Sequence, residues 1–189
     1  AVHRLVKKAL LQAGLDSTQF SAHKLRHTAA TMMLSGGVDV KTVSITGDYT
    51  VESAHGISIE ADMKIEEADF NDAEALVLPG GLPGATNLND HEGVRNALMA
   101  QAEKGGIVAA ICAAPSVLGR LGVLQGKQAT CYPGFEEYLG ESYIDGLVVE
   151  SKNIITAKGP GLSSDFAFCL IEKIVGSEIA DQVYDAAQY

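Results

Sequence analysis

Residues 108–119 read VAAICAAPSVLG. Small and β-branched apolar residues run into Cys112, and two alanines and Pro115 lead from it into an apolar pattern with helical spacing. The stretch reads as a buried strand that turns at once into a helix, with a sulfur at the bend. Such a bend exposes the side chain it carries and aims backbone N–H groups at one spot. The positive end of the following helix favours thiolate over thiol. A second apolar run, EALVLPGG over 74–81, ends on Gly80 and Gly81. Glycine there lets backbone approach closely, so the Gly81 and Ala113 amides are candidate oxyanion donors beside Cys112. The plain alternative is that Cys112 is a small buried hydrophobe.

Outward from this bend, short β-rich runs alternate with helical ones. Strands are expected at 39–45, 49–52, 56–60, 74–78, 106–111, 128–131, 147–150 and 153–156. Helices are expected at 90–104, 114–121, 134–139, 161–175 and 177–187. The alternation predicts an α/β fold with a mostly parallel sheet covered by helices. The nearly all-apolar runs at 74–78 and 106–111 suit central strands buried on both faces. Residues 50–63 resemble an antiparallel hairpin attached to the sheet. In such folds ligands sit beyond the carboxyl ends of strands, where Gly80, Gly81 and Cys112 fall.

The composition sets the frame. The 189 residues are 47% hydrophobic and carry a formal net charge of −10. Three cysteines without metal spacing argue against a disulfide framework and for a reducing compartment. No apolar run reaches the roughly 18 residues of a membrane span, and no signal-peptide pattern opens the chain. A cytoplasmic protein is the expectation, without metal or cofactor. His55 and His91 lack partners at metal-ligand spacing, and Cys131 and Cys169 read as core. The KGPG of 158–161 opens a helix and offers itself either as a shaper of the pocket or, the preferred reading, as a tight turn.

The charge is uneven. Residues 1–44 hold six Lys/Arg and two acids, whereas the remainder holds 8 basic and 22 acidic residues. Residues 2–13 have amphipathic helical spacing, and a second helix is expected at about 22–35, closed by Gly36 and Gly37. Nothing in the first 37 residues has the pattern of a buried strand. SAHKLRHTAATMMLSGGVDVKTVS resembles the C-terminal catalytic part of tyrosine recombinases (phage integrases), in which His23 and Arg26 match the His-x-x-Arg box that grips a phosphate. The recombinase's tyrosine nucleophile has no counterpart in context, so strand exchange is not expected, and the acidic body opposes DNA affinity.

From about Val38 to the C-terminus, LVLPGGLPGATNL, AAICAAPSVLG, ATCYPGFEEYLG and ITAKGPGLSSDFA together resemble the ThiJ/PfpI superfamily, in particular its Parkinson-disease-associated deglycase/chaperone branch. The resemblance implies a flavodoxin-like three-layer sandwich, a homodimer, and Cys112 as nucleophile or redox sensor with the Gly81 and Ala113 amides as oxyanion donors. Implied activities are glyoxalase-type hydration of methylglyoxal, deglycation, peptidase/amidase chemistry and redox-regulated chaperoning. A thiazole-monophosphate biosynthesis label is often attached to bacterial relatives.

Two departures from that pattern stand out. Tyr132 takes a place where the branch often has histidine, and a phenol is a poor base at neutral pH. The family's first strand and helix, and the glutamate that hydrogen-bonds the thiolate, are replaced by the head. The expectation is therefore a chimera of a helical segment, 1–37, and an α/β domain, 38–189, with an unfilled sheet position beside 74–78. Three functions stand as alternatives: cysteine-dependent chemistry on reactive carbonyls or glycated adducts, impaired by the missing glutamate; a non-enzymatic redox-sensing or chaperone-like role; and weak DNA binding through the head.

Overall fold

The computed structural model describes residues 30–53 and 56–188. Residues 30–35 are helical (α1) and end at Gly36–Gly37. Four short strands follow: Val43–Ser44 (β1), Thr50–Glu52 (β2), Ser58–Glu60 (β3) and Met63–Lys64 (β4). β1 and β4 pair in parallel, and β2 and β3 form an antiparallel hairpin, Thr50 opposite Glu60. The hairpin is a separate two-stranded sheet rather than an extension of the central one. Its outward positions are the polar Thr50, Glu52, Ser58 and Glu60, while Val51 and Ile59 pair on the half-buried face.

The central sheet is built from Ala75–Leu78 (β5), Ile107–Ile111 (β6), Val148–Ser151 (β7) and Ile154–Ala157 (β8). Its order is β5–β6–β8–β7; β5, β6 and β8 run parallel and β7 antiparallel to β8. Side chains on a strand alternate between faces, and β6 divides its residues accordingly. Val108 and Ala110 face a core with Val94, Leu98, Val117 and Leu118. Ala109 faces a second core with Phe166, Ala167, Leu170 and Ile171. The helices on the first face are Gly84–Asp90 (α2), Glu92–Glu103 (α3) and Pro115–Arg120 (α4), with Glu136–Leu139 (α5) packed on α4. Ser163–Val175 (α6) and Ser177–Ala186 (α7) cover the other, where Met32 and Met33 of α1 join them. Each fully buried Leu or Ile contributes about 1.5–3 kcal/mol, and Leu98, Leu118, Ile154, Ile155, Leu170 and Ile171 all fall in that class. The result is the expected flavodoxin-like α/β sandwich.

Three expectations need correction. The run 128–131 forms no strand; it makes one bridge, Ala129 to Tyr143, because Thr130 gives its N–H to the Thr156 hydroxyl instead of a ladder. The helix expected at 90–104 begins at Glu92, and a separate helix, α2, precedes it. His91 breaks the two with extended backbone (ψ 115°) and accepts the Val94 N–H on Nδ1. β1 is two residues long where seven were expected. β5 pairs with β6 on one edge, and among the described residues no strand pairs its other edge, where Val77 stays 39% exposed. No helix among the described residues is long and apolar enough to cross a membrane.

Candidate functional site

Cys112 lies one residue beyond β6 with φ +65°, a left-handed conformation that costs a non-glycine residue of order 1–3 kcal/mol. Two backbone bonds hold it there. Its N–H donates to the Ala157 carbonyl at the end of β8, and its carbonyl accepts the Tyr132 N–H, both at 2.8 Å. The parallel register of β6 on β5 and β8 carries all three strand ends to this point.

The next strand end makes room for the bend. A Cβ at Gly80 would run into the Ile111 carbonyl oxygen and lie 2.6 Å from the Cys112 Cβ and 3.3 Å from the Ala113 nitrogen. Only a residue without a side chain lets β5 end against this turn. Gly81 follows with φ +99°. Among the described residues the Gly81 and Ala113 amides donate to no acceptor, although Ala113 is 3% exposed. An unpaired buried N–H costs about 1–3 kcal/mol, so the Ala113 amide is a donor open to an acceptor. The following helix, α4, has six residues.

Tyr132 reaches the site through its backbone. Its side chain is 46% exposed, and a Cβ at Gly159 would sit 3.6 Å from its ring. The KGPG turn thus borders Tyr132. Lys158 pairs with Asp145 at 2.6 Å.

Two residues of the neighbouring loop and helix bear on the bend: Cys131, read as core, and Glu136, which the sequence did not single out. Cys131 is 1% exposed, as a core residue should be. Burial first, then the Glu136 carboxylate and Cys112, push its thiol up to about 11. Glu136, the first residue of α5, accepts the Gly134 N–H at 2.8 Å and so ties the helix to the loop that carries Cys131. The residues CYPGFE, read together, were the available signal. Cys169 is far from this site; burial first and the Glu150 carboxylate next push its thiol up to about 11. His23, Arg26 and His55 lie outside the described residues. Among the described residues, no three His, Cys, Asp or Glu side chains gather into a metal site. A shallow surface cavity lined by Gln125, Lys127, Glu141 and Ser151 is separate from Cys112.

Fold and bend together define a class: flavodoxin-like sandwiches with a cysteine turned out at a strand-to-helix elbow. Within it, the chain belongs to the DJ-1/PfpI family, whose model matches residues 19–173. That match starts upstream of the boundary drawn at residue 37. Protein DJ-1alpha of Drosophila melanogaster is 38% identical over 181 residues, covering 94% of this chain and 81% of the relative. The glutathione-independent glyoxalase DJR-1.2 of Caenorhabditis elegans is 30% identical over 150 residues, 78% of this chain and 79% of the relative. The chain spans 40% of the length of DJ-1 homolog A of Arabidopsis thaliana, with 37% identity. Oxidized DJ-1 of Toxoplasma gondii superposes with a TM-score of 0.83 at 29% identity, covering 86% of this chain and 90% of the other. Drosophila DJ-1beta gives 0.82 at 32%, covering 87% and 91%.

Proposed function

We propose that the chain acts on small reactive carbonyls, of the methylglyoxal type, through Cys112. The observation that carries this reading is the left-handed Cys112 set against Gly80, with the Gly81 and Ala113 amides open beside it. The thiolate forms a C–S bond to the aldehyde carbon, the carbonyl π electrons move to oxygen, and the resulting oxyanion accepts hydrogen bonds from the two N–H groups before it takes a proton from water. A hemithioacetal results, the entry point both to hydration of the dicarbonyl and to deglycation of its adducts. The name of the worm relative fits the first outcome. Tyr132 borders the substrate side, and its phenol is a hydrogen-bond donor rather than a base.

The family glutamate has no counterpart at the spacing counted back from Val38, which predicts slow turnover. A homodimer and the division into head and body remain part of this proposal. The DNA-binding alternative rests on His23 and Arg26 and draws no support from the acidic body. The test is lactate production from methylglyoxal by the purified chain. Turnover that falls to the uncatalysed background in Cys112→Ala supports the proposal; equal turnover in the two proteins overturns it.

A further inference from the structure

We propose that Cys131 is the resolving thiol of Cys112, closing an intramolecular disulfide once Cys112 has been oxidised by hydrogen peroxide. The inference rests on the reading of Cys112 as the reactive thiol. Its own evidence is backbone geometry. The Tyr132 N–H donates to the Cys112 carbonyl at 2.8 Å, which ties the residue after Cys131 directly to the bend. Cys131 is one peptide unit from that hydrogen bond, and a disulfide asks for Cα atoms roughly 4.4–6.8 Å apart. A second contact keeps the loop in place: the Thr130 N–H donates to the buried Thr156 hydroxyl at 2.9 Å on β8, the strand that also holds the Cys112 N–H.

The two thiols differ in a way that orders the steps. Cys112 is half-buried, whereas Cys131 is 1% exposed and has its thiol pushed up to about 11 by burial first, with Glu136 and Cys112 adding to it and Lys158 opposing. A buried neutral thiol does not meet peroxide in solution; an exposed thiolate does. The Cys112 thiolate attacks one peroxide oxygen, the O–O bond breaks, and hydroxide leaves, giving the sulfenic acid. The Cys131 sulfur then attacks the Cys112 sulfur. The S–S bond forms as the S–O bond breaks, and the Cys131 proton leaves with the hydroxyl as water. Two thiols lose two electrons in all, and one peroxide becomes two waters. The disulfide removes the nucleophile reversibly and keeps Cys112 from the irreversible sulfinic step.

Trypsin separates the partners, since Cys112 lies in residues 105–120 and Cys131 in 128–152. The chain is treated with equimolar hydrogen peroxide, quenched with N-ethylmaleimide and digested without reductant. The expected result is a 105–120/128–152 disulfide in the wild type, and sulfinic acid at Cys112 accumulating several-fold faster in Cys131→Ala. Cys169→Ala is expected to behave as wild type. No linked peptide and equal sulfinic rates, with methylglyoxal turnover intact, would overturn this inference alone. A Cys112 inert to both peroxide and methylglyoxal would overturn the inference and the proposed function together.

Discussion

At the scale of single residues, the account depends on Gly80 as much as on Cys112. A methyl group at Gly80 points into the Ile111 carbonyl and the Cys112 Cβ, so one of the two chain segments must move. Gly80→Ala is expected to destabilise the fold by about 1–3 kcal/mol, the range of overpacking. It should also slow alkylation of Cys112 well beyond that loss of stability, which urea unfolding and iodoacetamide kinetics would separate. Equal alkylation rates in the two proteins would show that the glycine serves packing alone. The other thiols behave oppositely. Cys131 and Cys169, both pushed up to about 11, should stay unmodified by iodoacetamide at pH 8 while the chain is folded. The bend at Cys112 was legible because a buried apolar run ends on it within five residues. The Gly80 contact was not, since it joins two strands, and neither strand's sequence says which glycine faces the sulfur.

Elements supply the rigidity that single residues use. The loop of Thr130 to Tyr132 carries no strand, yet it is fixed on both sides: to Thr156 of β8 through Thr130, and to Cys112 through Tyr132. Thr156 is fully buried. Thr156→Val leaves the Thr130 N–H without its acceptor and should cost about 1–3 kcal/mol, whereas Thr156→Ser keeps the acceptor and should recover most of it. Chemical denaturation of the three proteins checks this. The sequence suggested a strand here because ATCY has β propensity. Tertiary context overrode propensity, since the neighbouring edges of β8 were already taken by β6 and β7. The long strands and α6 were legible because they are apolar on both faces or one. The break between α2 and α3 was hidden, since His91 ends one helix and caps the next with a side chain that the apolar periodicity ignores.

The whole molecule is a well-packed central sheet with a polar margin of short strands. In that margin, the Thr42 N–H and then its hydroxyl hold the Asp62 carboxyl below the ordinary range. The Tyr49 hydroxyl and then the Lys64 N–H do the same for Glu67. A carboxyl whose folded pKa is depressed contributes stability above its unfolded value, and that contribution fades as pH falls through the folded one. Melting temperature should therefore drop below about pH 4, and Asp62→Asn with Glu67→Gln should flatten that drop while leaving the curve above pH 6 parallel to the wild type. The sandwich and its mostly parallel sheet were legible from alternation alone. β1 and β4 pair with each other apart from β5, and among the described residues one edge of β5 carries no partner strand.

The rate at which iodoacetamide alkylates Cys112 at pH 7, set beside that of a free cysteine peptide, shows whether the bend activates the sulfur. Activation by the Gly81 and Ala113 amides gives a rate roughly tenfold or more above the peptide's. A rate equal to the peptide's or slower would show an ordinary buried thiol.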